Sequence, residues 1–482
     1  MSEDVRMFID GAWIAAESGA TFNSVSPSTG QVIGAVAEGT RADAQRAIDA
    51  ANAAWPAWAA RSAFDRASAM RSVAEVIDGR RDDMARTLTL DQGKPLRAEA
   101  YDEVDELIAY FEMAAADATR MEGLMPPSVD ANKRVLLYRV PRGVVSIISP
   151  WNWPYTMPGE ILAPAIAYGN AVVWAPAPTT SICAARLAGC LEAADIPAGV
   201  VNMITGPGPV VGDEIAANPG SQAVGFIGSI ATGHLVAARA AGKELLLEMG
   251  GNGPLVVMED ADLDAAVSAT LAACFLNAGQ SCTAGERILV HEDVREEYLG
   301  LLTAAIEKEI HLGDPFDEAT TLGPVNNEPT AEKTERHVRD AVDRGAVVMA
   351  GGGRAPRHGS DLFYEATVLD GVTGDMEIAR EETFGPVAPV TTIRSLEEAI
   401  RAVNDSPYGL LSAIFTGDLG RGLRFAEAVR TGWVNVNEGT NYWESHLPFG
   451  GRAGSMSGLG RVGGRFSMER LTELRTVILN VG

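Results

Sequence analysis

Between residues 144 and 241, short and largely apolar runs alternate with segments patterned as helices, and this alternation constrains the fold more than any other feature. The runs fall at 144–148, 171–174, 200–204 and 223–227, and helical periodicity appears at 159–168, 179–194, 209–217 and 231–241. A strand apolar on both faces is covered on both sides. Strands separated by helices join through right-handed crossovers, so the expectation is a parallel sheet with helices above and below. Pro and Gly punctuate each junction, and Thr179, Thr180 and Ser181 are candidate N-caps for the second helix. A second alternating block runs from 253 to about 437. Its strands are expected near 254–258, 287–290, 347–350 and 388–393, with helices at 261–277 and 293–310. The fold class is α/β, with two parallel-sheet lobes and a small β element.

The flanks supply the rest. Residues 41–118 are rich in Ala, Glu, Asp and Arg at helical spacing, which predicts amphipathic surface helices. In 124–140 the turn-prone Asp130-Ala131-Asn132 separates two extended runs, predicting a hairpin, and 474–481 is again strand-like. A chain of 482 residues exceeds what one core serves, so two or three domains are expected.

Charge and cysteine usage exclude several functions. The 39 Lys and Arg against 64 Asp and Glu leave a net charge of −25, a field that repels nucleic acid and anionic membranes. Residues 1–16 mix Glu3, Asp4, Arg6 and Asp10 with apolar positions, unlike a secretory leader. The most apolar stretch, 161–178, is broken by Pro164, Gly169, Asn170 and Pro176, which suits a buried helix and core strand better than a membrane span. Four cysteines, at 183, 190, 274 and 282, form neither a disulfide framework nor a CxxC pair; Cys183 and Cys190 share one expected buried helix face. That usage suits a reducing, cytoplasmic setting. The six histidines show no HExxH-like spacing, so no metal is expected.

Two stretches carry chemistry. Phe275-Leu-Asn-Ala-Gly-Gln-Ser-Cys282 ends a helical pattern in small polar residues that can lift a thiol into a cleft. A lone cysteine is otherwise a small core hydrophobe. Glu248-Met-Gly-Gly follows the apolar run 245–247, and a carboxylate ending a buried strand is costly without a partner or a task. The alternative is a structural Glu satisfied by backbone.

With these stretches stand Pro141-Arg-Gly-Val144 leading to Pro150-Trp-Asn-Trp-Pro154, Gly206-Pro-Gly-Pro-Val-Val-Gly212, Phe226-Ile-Gly-Ser-Ile-Ala-Thr-Gly233, Glu381-Glu-Thr-Phe-Gly-Pro-Val387, Asn404 to Leu410, and Pro448-Phe-Gly-Gly451. In this order and over this length, the chain resembles the NAD(P)-dependent aldehyde dehydrogenase superfamily. The resemblance implies two Rossmann-like lobes. It places a cofactor-binding domain at 1–118 and 142–249, a catalytic domain at 250–445, and oligomerisation strands at 119–141 and 465–482 of a homodimer or homotetramer. It assigns Cys282 as nucleophile, Glu248 as general base and Asn152 as oxyanion donor. The implied reaction oxidises an aldehyde to its acid through a Cys282 thiohemiacetal and thioester. It gives cofactor contacts to Ser149, Trp151, Gly208, Gly212, Phe226, Gly228, Ser229, Met249, Glu382 and Phe384. The chemistry agrees: a thiolate adds to a carbonyl, an amide donor steadies the oxyanion, and thioester hydrolysis needs an activated water. The free N–H groups of a helix opened by Gly228-Ser229 suit a pyrophosphate.

Departures matter as much. Where the superfamily usually follows its second strand with Lys-Pro-Ser-Glu, this chain has Ala175-Pro-Ala-Pro178, so both ribose-gripping side chains are gone. No Lys or Arg lies between Trp174 and Ser181 to hold a 2′-phosphate, so NAD is the expected cofactor and NADP the alternative. The Pro448-Phe-Gly-Gly segment continues two residues longer than usual through Arg452 to Gly458. The resemblance puts Met157 and Glu160 on one helix face in the aldehyde tunnel, with Trp443 and His446 opposite. A carboxylate at 160 would repel acidic semialdehydes and accept an amine or hydroxyl; a solvent-facing helix-start Glu is the alternative. A cofactor-independent thiol hydrolase using Cys282 and Glu248, and a non-catalytic relative, are the competing functions.

Overall fold

The computed structural model describes residues 3–482; Met1 and Ser2, where the expected first domain begins, lie outside the described residues. Two large sheets of an α/β fold organise the chain. In the first, Glu244–Met249, Ala223–Gly228, Val144–Ile148, Ala171–Ala175 and Val201–Met203 run parallel in that spatial order. Met7–Ile9 and Ala12–Ile14 close one edge antiparallel, and Gly458–Leu459 closes the other against Glu244–Met249. The crossover helices are Thr156–Ala167, Ser181–Ala193 and Ile230–Arg239, with a π-turn at Gly208–Gly212 leading into Asp213–Ala217. Burial on both faces explains the unbroken apolar runs. Polar exceptions are satisfied, since Ser146 Oγ donates to the Ile215 carbonyl and Asn202 Nδ2 to that of Gly199.

The second sheet has the order Val347–Ala350, Thr367–Asp370, Val387–Ile393, Gly285–His291, Gly253–Val257, Leu411–Phe415, Trp433–Val436, parallel except for its first pair. Three of these strands, 367–370, 411–415 and 433–436, were not anticipated from the sequence.

Three local expectations need correction. Helices Arg41–Ala59, Ala63–Gly79, Arg81–Gln92 and Tyr101–Ala118 are not merely a surface layer, because Trp58, Met70, Ile77, Leu107 and Phe111 are core residues. The 124–140 hairpin reduces to one bridge, Leu124 to Leu137. Lys133–Pro141 instead pairs antiparallel along its length with Thr472–Asn480. Pro126 and Pro127 deprive the nearer segment of ladder donors, whereas the C-terminal strand offers a continuous row. Thr180 occupies the N-cap of Ser181–Ala193 without a side-chain bond, because Asp91 already takes the Cys183 N–H of the first turn at 3.0 Å.

Candidate active site

The carboxyl ends of the first sheet and two loops of the second lobe, leading into Gly285–His291 and Val387–Ile393, meet over a cavity with about 800 Å³ of empty space. Val144–Ile148 delivers Trp151 and Asn152, Ala223–Gly228 delivers Gly228 and Ser229, and Glu244–Met249 delivers Glu248 and Met249. From the second lobe come Cys282, Glu382 and Phe384. Met157 and Glu160, on the first turns of Thr156–Ala167, line the same cavity.

Cys282 reaches it through an unusual turn. Asn277, Ala278 and Gly279 are all left-handed, with φ of 52°, 53° and 72°, which ends the helix and reverses the chain. Each non-glycine in that region costs about 1–3 kcal/mol and persists only where neighbours hold it. They do. Glu99 accepts the Asn277 N–H, Gln92 Nε2 donates to Asn277 Oδ1 at 2.9 Å, and Asn277 Nδ2 donates to the Asn152 carbonyl at 2.8 Å. Asn152 Nδ2 in turn donates to the Gln280 carbonyl at 3.0 Å, leaving its second N–H free of that bond. The loops bearing the amide and the thiol are thus tied together.

Buried charge dominates the electrostatics. Glu248 is 5% exposed, and neither carboxylate oxygen has a hydrogen-bond partner among the described residues. Burial first, then Glu160, hold its pKa well above the carboxylate range, with Arg461 opposing. A Cβ on Gly450 would stand 2.5 Å from Glu248 Oε1, so only glycine leaves that carboxylate room. Burial first, then the carboxylates of Glu382, Glu248 and Glu160, push the Cys282 thiol upward. Thiol and Glu248 therefore favour their neutral forms until positive charge enters the cavity.

On the other side of Cys282, Glu382 accepts the Gly251 N–H at 3.0 Å, and a Cβ on Gly250 would fall 2.6 Å from its oxygens. Phe384 sits at φ 60°, edge-on to Trp151 at 5.6 Å. Glu286 holds that strained turn by accepting the N–H groups of Thr383 at 2.9 Å and Phe384 at 2.7 Å. Ser229 caps Ile230–Arg239 by accepting the Thr232 N–H, and Gly228 packs so closely on Phe226 that a Cβ would lie 2.9 Å from the ring. This glycine-lined wall at a helix start, with Lys333 nearby, has the character of a dinucleotide cradle.

Other expected residues fall elsewhere. Phe226 lies beneath the Gly228 turn, and Ser149 Oγ accepts the Trp174 indole N–H at 2.8 Å. Gly208 and Gly212 belong to the π-turn outside this cavity. Trp443 lines an adjoining branch, but the His446 side chain is 60% exposed, 3.5 Å from Glu444. The solvent-facing alternative for Glu160 is corrected: it is 3% exposed, because Tyr101–Ala118 packs over that helix. Sequence reasoning missed Lys333, Thr330, Glu286, Gln280 and Asn277. The last two stand inside the quoted Cys282 motif, a signal that was available.

Among described residues no helix is long and apolar enough to cross a membrane. The sequence profile of the aldehyde dehydrogenase family matches residues 13–477. A 3-sulfolactaldehyde dehydrogenase of Pseudomonas putida is 38% identical over 476 residues, covering 98% of this chain and 96% of that protein. An NADP(+) succinate-semialdehyde dehydrogenase of Escherichia coli is 37% identical over 478 residues, covering 99% and 98%. The crystal structure of a succinate-semialdehyde dehydrogenase from Burkholderia pseudomallei superposes with a TM-score of 0.96 at 39% identity, covering 99% of this chain and 98% of that one.

Proposed function

The chain belongs to the aldehyde dehydrogenase family and oxidises an aldehyde to the carboxylic acid with NAD(P)+, and from that premise we propose that Cys282, Glu248 and Asn152 are its nucleophile, base and oxyanion donor. The observation that carries this assignment is their convergence, with Glu382 and Phe384, on one cavity. The Cys282 thiol gives its proton to solvent, the sulfur adds to the aldehyde carbon and the carbonyl oxygen takes up negative charge, steadied by the Asn152 amide and the Cys282 N–H. When bound, the nicotinamide supplies a hydride acceptor and a positively charged ring. Gly228, Ser229, Glu382 and Phe384 would hold that cofactor, with Trp151 and Met249 beside them. Hydride loss leaves a Cys282 thioester. Glu248 then takes a proton from water, hydroxide adds to the thioester carbon, and the C–S bond breaks to free the acid while the departing sulfur takes the proton back from Glu248.

Residues 1–118 and 142–249 form the cofactor-binding domain in this reading, and 250–445 the catalytic domain. The 119–141 and 465–482 strands serve a homodimer or homotetramer. Leu474 and Ile478, each 60% exposed on the paired ribbon, support that assembly. A cytoplasmic setting accords with four free cysteines. NAD is favoured because no cation stands at 175–178. The test is NADH or NADPH formation from supplied aldehydes in wild type and Cys282→Ala. Turnover surviving in Cys282→Ala would overturn the assignment.

A further inference from the structure

Beyond Cys282, away from the Gly228 turn, the cavity continues into a second branch with about 460 Å³ of empty space. Glu106, Trp153, Thr156, Met157, Glu160 and Trp443 line it, and no Lys or Arg does. Glu160 is 3% exposed, and its Oε1 has no hydrogen-bond partner among the described residues. Thr156 Oγ1, also lining the branch, is likewise buried without one. An unmatched buried acceptor is costly, so these atoms mark where a donor belongs. The neighbouring cation Lys94 is committed elsewhere: it pairs with Glu103 and lies 3.1 Å from the Trp153 ring centroid. Burial and then Glu106 push the Glu160 pKa to about 8, and burial and then Glu103 push that of Glu106 to about 8. Glu106 stands close enough to disfavour charge on Glu160; the Tyr110 hydroxyl eases Glu160 and Lys94 eases Glu106 only in part, and an incoming cation relieves both.

We propose that this branch is a receptor for an alkylammonium group, so that aldehydes bearing an amine at the end remote from the carbonyl are the preferred substrate class. The inference rests on Cys282 being the nucleophile. An ammonium N–H satisfies Glu160 Oε1, and its charge is shared with Glu106. Trp443, 6.3 Å from Tyr110 and 5.7 Å from Phe449 between ring centroids, adds an aromatic wall that favours a cation. A quaternary ammonium brings charge without an N–H and ranks lower. A carboxylate or sulfonate at the far end meets like charge, unlike the substrates named for the Pseudomonas putida and Escherichia coli relatives.

The experiment compares kcat/KM of the full-length enzyme for 3-aminopropanal, propanal, 4-oxobutanoate and trimethylammonioacetaldehyde with NAD and NADP. The expected preference for 3-aminopropanal over propanal is at least about tenfold, and Glu160→Gln and Glu106→Gln should each erase about tenfold of it. A wild-type ratio of one or less, or an unchanged ratio in both variants, overturns the inference and leaves the dehydrogenase assignment standing. Should the variants fail to fold, wild-type inhibition decides. Propylammonium should compete with propanal and propanoate should not; the reverse order overturns the proposal. Reduced cofactor appearing from none of the four aldehydes overturns the catalytic assignment and this inference with it.

Discussion

The two branches that meet at Cys282 are built by opposite means. On the Gly228 side part of the wall is backbone: Gly228, Ser229 and Gly250 face the cavity, and Glu382 is answered by the Gly251 N–H and the nearby Lys333. On the Glu160 side the wall is side chain, with two carboxylates, two tryptophans and a buried hydroxyl whose polar atoms are left partly unmatched. Apart from Glu248 and the shared Glu160, the first branch has its groups answered, which suits a ligand common to a whole family. A branch with open valences suits a ligand particular to this chain. Glu248 lines the first branch at the junction, at the end of the strand Glu244–Met249, and Glu160, which lines both branches, raises the cost of its charge.

The comparison breaks most severely at the junction. Replacing Cys282 with Ala should lower dehydrogenase turnover by at least about 10⁴-fold, while NAD binding measured by fluorescence titration stays near wild type. A comparable loss of cofactor affinity would mean that the branches are not independent. Glu248→Gln should cost about 10²–10³-fold in the steady rate and expose a burst of NADH, since acylation precedes the step that needs the base. The base must be ionised, and burial raises its pKa, so the wild-type steady rate should climb as pH rises above the ordinary carboxylate range. Glu248→Gln should flatten that rise; a profile of unchanged shape in the variant would remove Glu248 from the hydrolytic step.

Legibility in the sequence followed the same divide. The Gly228 branch is written in short contiguous motifs, and the strand 144–148 could be read to the residue because it is apolar on both faces. The second branch is not contiguous. Glu106 stands among Asp102, Glu103 and Asp105, which reads as a solvated helix face; only packing of Tyr101–Ala118 on Thr156–Ala167 shows that it faces a cavity. His446 fails for the complementary reason, since it stands only three positions after Trp443 but its ring turns outward to Glu444. Thr367–Asp370 and Trp433–Val436 span four residues each, too few for periodicity to distinguish strand from loop. Asn277 sat in a motif read only for its cysteine.

That asparagine gives the next effect in size. Asn277→Ala removes donors to the Asn152 and Gln280 carbonyls and the acceptor for Gln92, while keeping a left-handed backbone that Ala supports less well. The expectation is a fall in kcat of about 10–100-fold, matching one or two charge-free hydrogen bonds lost at a strained turn. Aldehyde KM should change little, because neither branch loses a wall. A rise in KM with kcat intact would mean that Asn277 shapes the substrate branch and does not position the reacting groups.

The smallest effect lies furthest from the thiol and sharpens the cofactor side. Ala175 ends the strand Ala171–Ala175 at 4% exposure, its carbonyl accepting the Ser149 N–H at 3.2 Å. Neither a lysine to grip the adenosine ribose nor a carboxylate to reject a 2′-phosphate stands in 175–178. Wild type should therefore separate NAD from NADP by no more than about tenfold, roughly 1.4 kcal/mol. Ala175→Lys adds one charge-assisted donor at the strand end, and should tighten both cofactors by about three- to tenfold after the cost of ordering a long side chain. NADP should gain more, since its phosphate carries the extra charge. Dissociation constants for the two cofactors in wild type and variant measure this directly. If neither constant moves, another part of the chain already makes the contact. If only NAD tightens, the phosphate lies beyond the reach of residue 175, and the weak discrimination has a different origin.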